Sequence, residues 1–261
     1  MITTETVPRE RRIAARVVAA VAAVFWAVVW FGITDLLVVV LQDGQFHEDY
    51  LFESGWGLLY LVLVAVPLGW LAVRPGEPVA LAQLGVVTSA VLVGALWRGS
   101  WPQTWNALGL ALTVTLVAWL GGGRLPQWRR PDPALSALAL LGLPAAVAYG
   151  APLVANTTEV EDITNEVSHY PMQASLALAV VALVALAAVT AGRLPAWTAA
   201  LTASWLGVES IVYPDLGASL GGTGGAVATA WGVLVVLAVE LDRHHATSVE
   251  RETLKPVRTA D

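Results

Sequence analysis

The sequence predicts an all-α fold: a polytopic membrane bundle of about eight transmembrane helices, with both termini in the cytoplasm. Three observations carry that expectation. Of 261 residues, 57% are hydrophobic and 13% charged, and the mean hydropathy is +0.67. Ordinary soluble domains carry about 25% charged residues. Eight apolar runs each approach the roughly 20 residues needed to cross a hydrocarbon core. The basic residues fall almost wholly in alternate connections between those runs. A water-soluble fold of this composition would lack the polar surface to cover itself. Soluble enzymes, nucleic-acid binders and disordered chains are therefore excluded.

In chain order, residues 1–16 form a basic N-terminal segment with Arg9, Arg11, Arg12 and Arg16. The apolar run behind it, from Ile13 to Leu41, far exceeds the roughly 7–15 residues of a signal-peptide core. It reads as a retained helix over 17–38. Further runs follow at 55–73, 79–97, 105–121, 135–153, 173–191, 197–214 and 225–241. Short connections such as Arg74-Pro75-Gly76 and Arg193-Leu194-Pro195 hold turn residues. Two longer connections, 42–54 and 155–170, are acidic. Residues 242–261 form a polar tail, expected in the cytoplasm and disordered at its end. Pro67 and Pro144 fall inside predicted helices, where each removes a backbone hydrogen bond and predicts a kink. Three small-residue pairs, Ala90/Gly94, Gly142/Ala146 and Ala226/Ala230, predict close helix crossings.

Sidedness follows from charge. With the N-terminus inside, the inner segments hold Arg9, Arg11, Arg12, Arg16, Arg74, Arg124, Arg129, Arg130, Arg193, Arg243, Arg251, Lys255 and Arg258. The outer segments hold Arg98 alone. Such segregation is the positive-inside signature, and it predicts a multi-pass protein of the plasma (inner) membrane. The outer segments are instead acidic, with Asp43, Glu48, Asp49, Glu53, Glu159, Glu161, Asp162, Glu166 and Asp215. They are read either as solvated loops or as a vestibule that concentrates cations. Trp56, Trp97, Trp101, Trp105, Tyr170 and Tyr213 near outer helix ends, and Trp119, Trp128 and Trp197 near inner ones, match interfacial belts.

The 17–241 transmembrane domain divides into candidate halves, 17–121 and 135–241, that would form a 4+4 parallel repeat. His47 and His169 are 122 residues apart, as are Gly85 and Gly207 in their Leu-Gly-Val triplets. Each half has its long acidic connection after its first helix.

Few residues could carry chemistry. The chain has no cysteine, and its single lysine lies in the tail. A thiolate site and an intramembrane Schiff base are both excluded. No catalytic set and no cofactor motif is assigned. Two carboxylates fall within the predicted spans, at a cost of roughly 2.5–3.5 kcal/mol for a charge at a helix centre. Asp35 sits toward the outer end of the first helix, or just beyond it if that helix stops at Gly32. Glu209 lies in the seventh, flanked at four-residue spacing by Trp205 and Tyr213 on one face. A carboxylate there is protonated or paired with a cation. Arg98, the one outer cation, is the partner expected. His47 and His169, each among acids in an outer loop, are the candidate ligands for a divalent metal.

Three function classes remain. The first is a small transporter or channel-like protein with an acidic outer vestibule, taking a small molecule or cation near Glu209. The second is a structural or accessory subunit that docks a membrane-protein partner. The third is an outer-face, metal-dependent membrane enzyme. The lipid bilayer is a partner in all three, and nucleic acid in none.

Overall fold

A computed structural model describes residues 8–41, 47–155 and 169–253. Among them every regular element is helical, because only closed helices or barrels satisfy their own backbone in hydrocarbon. The long helices are α1 (Arg9–Val29), α4 (His47–Val73), α5 (Pro78–Arg98), α6 (Trp101–Gly121), α7 (Pro133–Ala155) and α8 (His169–Thr190), then α9 (Arg193–Val212) and α10 (Gly221–Thr253). Two short helices, α2 (Gly32–Leu36) and α3 (Val38–Leu41), follow α1. Seven long helices among the described residues are apolar enough to span a membrane. The eighth, α9, falls short of that measure because it carries Glu209 among several Ser, Thr and Trp residues.

Local chemistry sets the helix ends. Glu77 caps α5, its side chain accepting from the Ala80 amide at 2.7 Å, with Pro78 at the first turn where its missing N–H costs nothing. Gly99 ends α5 in the left-handed region at φ 73°, and Gly122 ends α6 at φ 67°. Ser100 caps α6 through the Gln103 amide, and Asp132 caps α7 through the Leu135 amide.

The first predicted span, 17–38, is corrected. Its helix begins at Arg9 and stops near Trp30, where Phe31 takes φ 63° and Gly32 opens a separate helix. Asp35 therefore lies beyond the first long helix. A π-helical stretch over Leu58–Ala65 precedes Pro67, where a kink is expected, in the same helix. The Val66 amide reaches back five residues to the Leu61 carbonyl, so the widened turns adjoin the proline that cannot donate. The backbone of α10 continues helical into the polar tail as far as Thr253, and the end of the tail lies outside the described residues.

Contacts at the helix ends fix the alternation. At one end the Arg11 guanidinium donates to the Trp119 carbonyl and lies 4.9 Å over its ring. Arg193 Nη2 pairs there with Glu240 at 2.6 Å, and Trp197 Nε1 donates to the same carboxylate. At the other end Tyr149 donates to the Ala218 carbonyl and Arg98 to the Val154 carbonyl. The first is the arginine-rich end and the second the acid-rich end.

Burial sorts the helices into layers. The spans of α4 and α8 are 67% and 72% buried, while α1, α6, α7 and α10 are each 22% buried. The outer four leave rows of Val and Leu exposed, and Trp97, Trp101, Trp105, Trp119 and Trp128 are exposed too, as an interfacial belt requires. Trp56 departs from that belt. It is buried, packed against Tyr60, Trp30 and His169.

The tightest crossing joins α9 to α10. A methyl group on Gly207 would sit 2.6 Å from the Gly225 carbonyl oxygen, and one on Gly225 would sit 2.5 Å from the Gly207 carbonyl oxygen. Ala90/Gly94 and Gly142/Ala146 are buried at crossings as expected. Ala226 and Ala230 are not: both face outward, and the contact runs through Gly225 and Gly232 instead. Gly225→Leu should therefore lower stability by about 1–3 kcal/mol, the usual effect of overpacking. Ala226→Leu should leave it unchanged, and thermal unfolding in mild detergent separates the two.

Candidate functional site at the acid-rich end

Glu209 is reached from three elements. It sits in the last turns of α9, and α10 holds that helix close through Gly207 and Gly225. Helix α4 brings Ser54 across, because Ser54 is small and fully buried beside Gly55. Ser54 Oγ donates to Glu209 Oε1 at 2.7 Å, and Trp205 Nε1 donates to the same oxygen at 2.8 Å. Trp205 and Glu209 thus share a face, as their four-residue spacing requires. The other oxygen, Oε2, is buried with no hydrogen-bond partner among the described residues. Glu209 itself is 7% exposed.

The expected Glu209–Arg98 pair is not formed. Arg98 Nη1 donates to the Val154 carbonyl at 3.1 Å, which engages the C-terminal end of α7. Tyr213 ends α9, its amide donating to the Glu209 carbonyl, and its ring belongs to an aromatic set. It meets Tyr50 and His47 edge-on at 5.6 and 5.7 Å between centroids, and His47 and Tyr50 are 5.2 Å apart.

The two histidines have different surroundings. His47 is exposed within that aromatic triad. His169 is buried at the start of α8, with Nε2 3.7 Å from Glu53 Oε1 and its ring 4.9 Å from Trp56. Asp35, on α2, lies within electrostatic reach of Glu53. Among the described residues no three His, Asp or Glu side chains converge as metal ligands. Glu166, beside His169 in its loop, and the vestibule acids Asp43, Glu159, Glu161 and Asp162 lie outside the described residues.

A second polar group continues the line of Glu209 down α9. Thr198 and Thr202 are buried on the same helix, at 5% and 1% exposure. Gln83 of α5 donates from Nε2 to Thr198 Oγ1 at 3.0 Å. Gln83 Oε1 and Thr202 Oγ1 have no hydrogen-bond partner among the described residues. Between α4 and α8, Gln173 Nε2 donates to the Leu51 carbonyl at 2.8 Å, and its Oε1 is likewise without one. Unpartnered buried oxygens are costly and uncommon, and here they gather along the inner faces of the bundle.

Sequence reasoning picked out Glu209 and its face, but not Ser54 as its partner, nor the Glu53–His169 and Gln173–Leu51 contacts. The α4 helix starts eight residues before the predicted 55, which carries Glu53 and Ser54 into the bundle. The buried side of Tyr50-Leu51-Phe52 was the available signal. Comparison with protein-family models, curated proteins and solved structures finds no match.

Glu209→Leu leaves Ser54 and Trp205 without their acceptor and should lower stability by about 1–3 kcal/mol. Glu209→Gln keeps an acceptor oxygen at the same place and should stay within about 1 kcal/mol of the parent. Chemical or thermal unfolding in detergent measures both.

Proposed function

We propose that the protein is a small transporter or channel-like protein that passes a proton or monovalent cation by way of Glu209. The observation that carries this reading is the bare Glu209 Oε2: a buried carboxylate oxygen with no hydrogen-bond partner among the described residues. A proton or a small cation is the partner such an oxygen lacks. The oxygens of Thr202 on α9 and Gln83 on α5, without a partner among the described residues, support a polar path continuing toward the arginine-rich end. Ser54 and Trp205 hold one carboxylate oxygen fixed, which leaves the other to exchange its ligand.

The internal repeat belongs to this reading. Burial runs 22%, 67%, 50% and 22% over the first four spans, then 22% and 72% over the next two and 22% over the last. Gln173 bonds to Leu51, 122 positions earlier, which is also the spacing between the paired histidines. A residue touching its own equivalent is what a two-fold axis between α4 and α8 would give. Parallel repeats of this kind place transport sites near such axes.

A second reading, the structural or accessory subunit, is favoured by the packing around Glu209. Neither cavity described below reaches that residue. Flux in proteoliposomes separates the readings. With a potassium diffusion potential and an interior pH dye, the parent should carry proton or sodium current above protein-free vesicles. Glu209→Gln should cut that flux about tenfold or more, the effect of roughly 1.4 kcal/mol on a barrier. Parent flux equal to that of empty vesicles for H⁺, Na⁺ and K⁺ would favour the subunit.

Orientation is proposed on charge: the arginine-rich end in the cytoplasm and the acid-rich end outside, in the plasma membrane. The cysteine-free chain makes the test direct. A cysteine at Asp215 should react with an impermeant maleimide in intact cells, and one at Leu125 only after permeabilisation. The reverse pattern would invert the assignment.

A further inference from the structure

Helix α8 passes between α5 and α7 with a row of alanines outward. Ala182, Ala185 and Ala188 are too short to fill the space between their neighbours. The result is an apolar groove of about 630 Å³, walled by Val86 and Val93 of α5 and by Leu140 and Leu143 of α7. It is open to the side, since Leu140 is 72% exposed and Val93 50%. The wall hydroxyl of Ser89 donates to the Gly85 carbonyl within its own helix. From Leu178 to Val189 the α8 floor is about 16 Å long at 1.5 Å per residue. That is close to one leaflet, half of a roughly 30 Å hydrocarbon core.

The groove ends at Pro131 and Ala188, and both residues also line a second, polar cavity of about 240 Å³. Arg129 and Arg130 stand there, on the segment between α6 and α7. That segment is tied to the end of α8: the Arg129 amide donates to the Val189 carbonyl at 2.8 Å, and the Asp132 amide to the Ala188 carbonyl at 2.9 Å. The two arginines are thus held at the groove mouth by their own backbone. The one acid of this cavity, Asp132, has its Oδ1 engaged by the Leu135 amide at 2.7 Å.

We propose that this groove is a binding site for an anionic phospholipid. One acyl chain lies on the alanine floor of α8, and the phosphate lies against Arg129 and Arg130. Charge complementarity at the mouth selects the headgroup, and the depth and length of the groove select a chain of one leaflet. A purely annular lipid would need neither the paired arginines nor the trough. The proposal is independent of the transport reading.

The test is native mass spectrometry of the full chain in mild detergent, titrated with phosphatidylglycerol or phosphatidylcholine of matched acyl chains. Phosphatidylglycerol should be retained preferentially, by about fivefold for each arginine engaged. The double variant Arg129→Ala/Arg130→Ala should bring it down to the phosphatidylcholine level, and Arg129→Lys/Arg130→Lys should keep most of the preference. Ala185→Phe, which fills the floor, should reduce retention of both lipids; it and the lysine variant decide the matter if the alanine variant does not fold. Equal retention of the two lipids by the parent would overturn the proposal. So would full displacement by millimolar inorganic phosphate, which would make this a free-anion site.

Discussion

Hydrocarbon offers no hydrogen bond to a backbone amide, and it offers helices no solvent to escape from. Each segment of this chain must therefore close its own backbone bonds, and segments adhere through close contact rather than through hydrophobic exclusion. The places where main chains touch consequently organise the bundle. Gly57 lies so close to α2 that a methyl group there would fall 2.6 Å from Leu36 Cα. Gly207 and Gly225 do the same for α9 and α10. Helix α9 is not among the seven long helices apolar enough to span a membrane, and it is held by backbone proximity on one side and polar bonds on the other. Glu209 is buried because of that double hold.

Helix α4 is the element through which the polar and aromatic parts meet. Within three turns it supplies Tyr50 to the His47–Tyr213 ring triad, Glu53 to His169, Ser54 to Glu209 and Trp56 to the stack containing Tyr60. Tyr60 continues that stack to Trp26 of α1, with nearly parallel rings 5.2 Å apart. A shift of this one helix would alter the carboxylate, the imidazole and the aromatic column together. That coupling is what a site needs if occupancy at Glu209 is to be felt across the bundle.

Much of this was legible in the composition and the run lengths. Eight apolar segments became eight long helices, and Pro75-Gly76 stands where the chain reverses, whereas Arg193-Leu194-Pro195, expected in a connection, instead opens α9 after Gly192. Glu209 and Trp205 were visible as helical neighbours because a four-residue spacing is enough to place them together. Partners on other helices were not legible. Arg98 was assigned to Glu209 because opposite charges were scarce, yet a carbonyl at the end of α7 satisfies the guanidinium and two neutral donors satisfy the carboxylate. Ala226 and Ala230 fit the four-residue small pair, whereas Gly225 and Gly232, which make the contact, are seven apart. Only the rotation of α10 decides which pair faces inward, and in an Ala-rich helix the sequence does not mark that rotation.

The π-helical stretch at Leu58–Ala65 means that α4 holds more residues than a straight α-helix needs for the same climb. In an ordinary helix the loss of one residue rotates everything beyond it by about 100°. Here the surplus turns can absorb such a loss by tightening, so that Ser54 and the packed residues on the far side of Pro67 keep their facing. Across a lineage, this central helix could shed a residue where its neighbours could not.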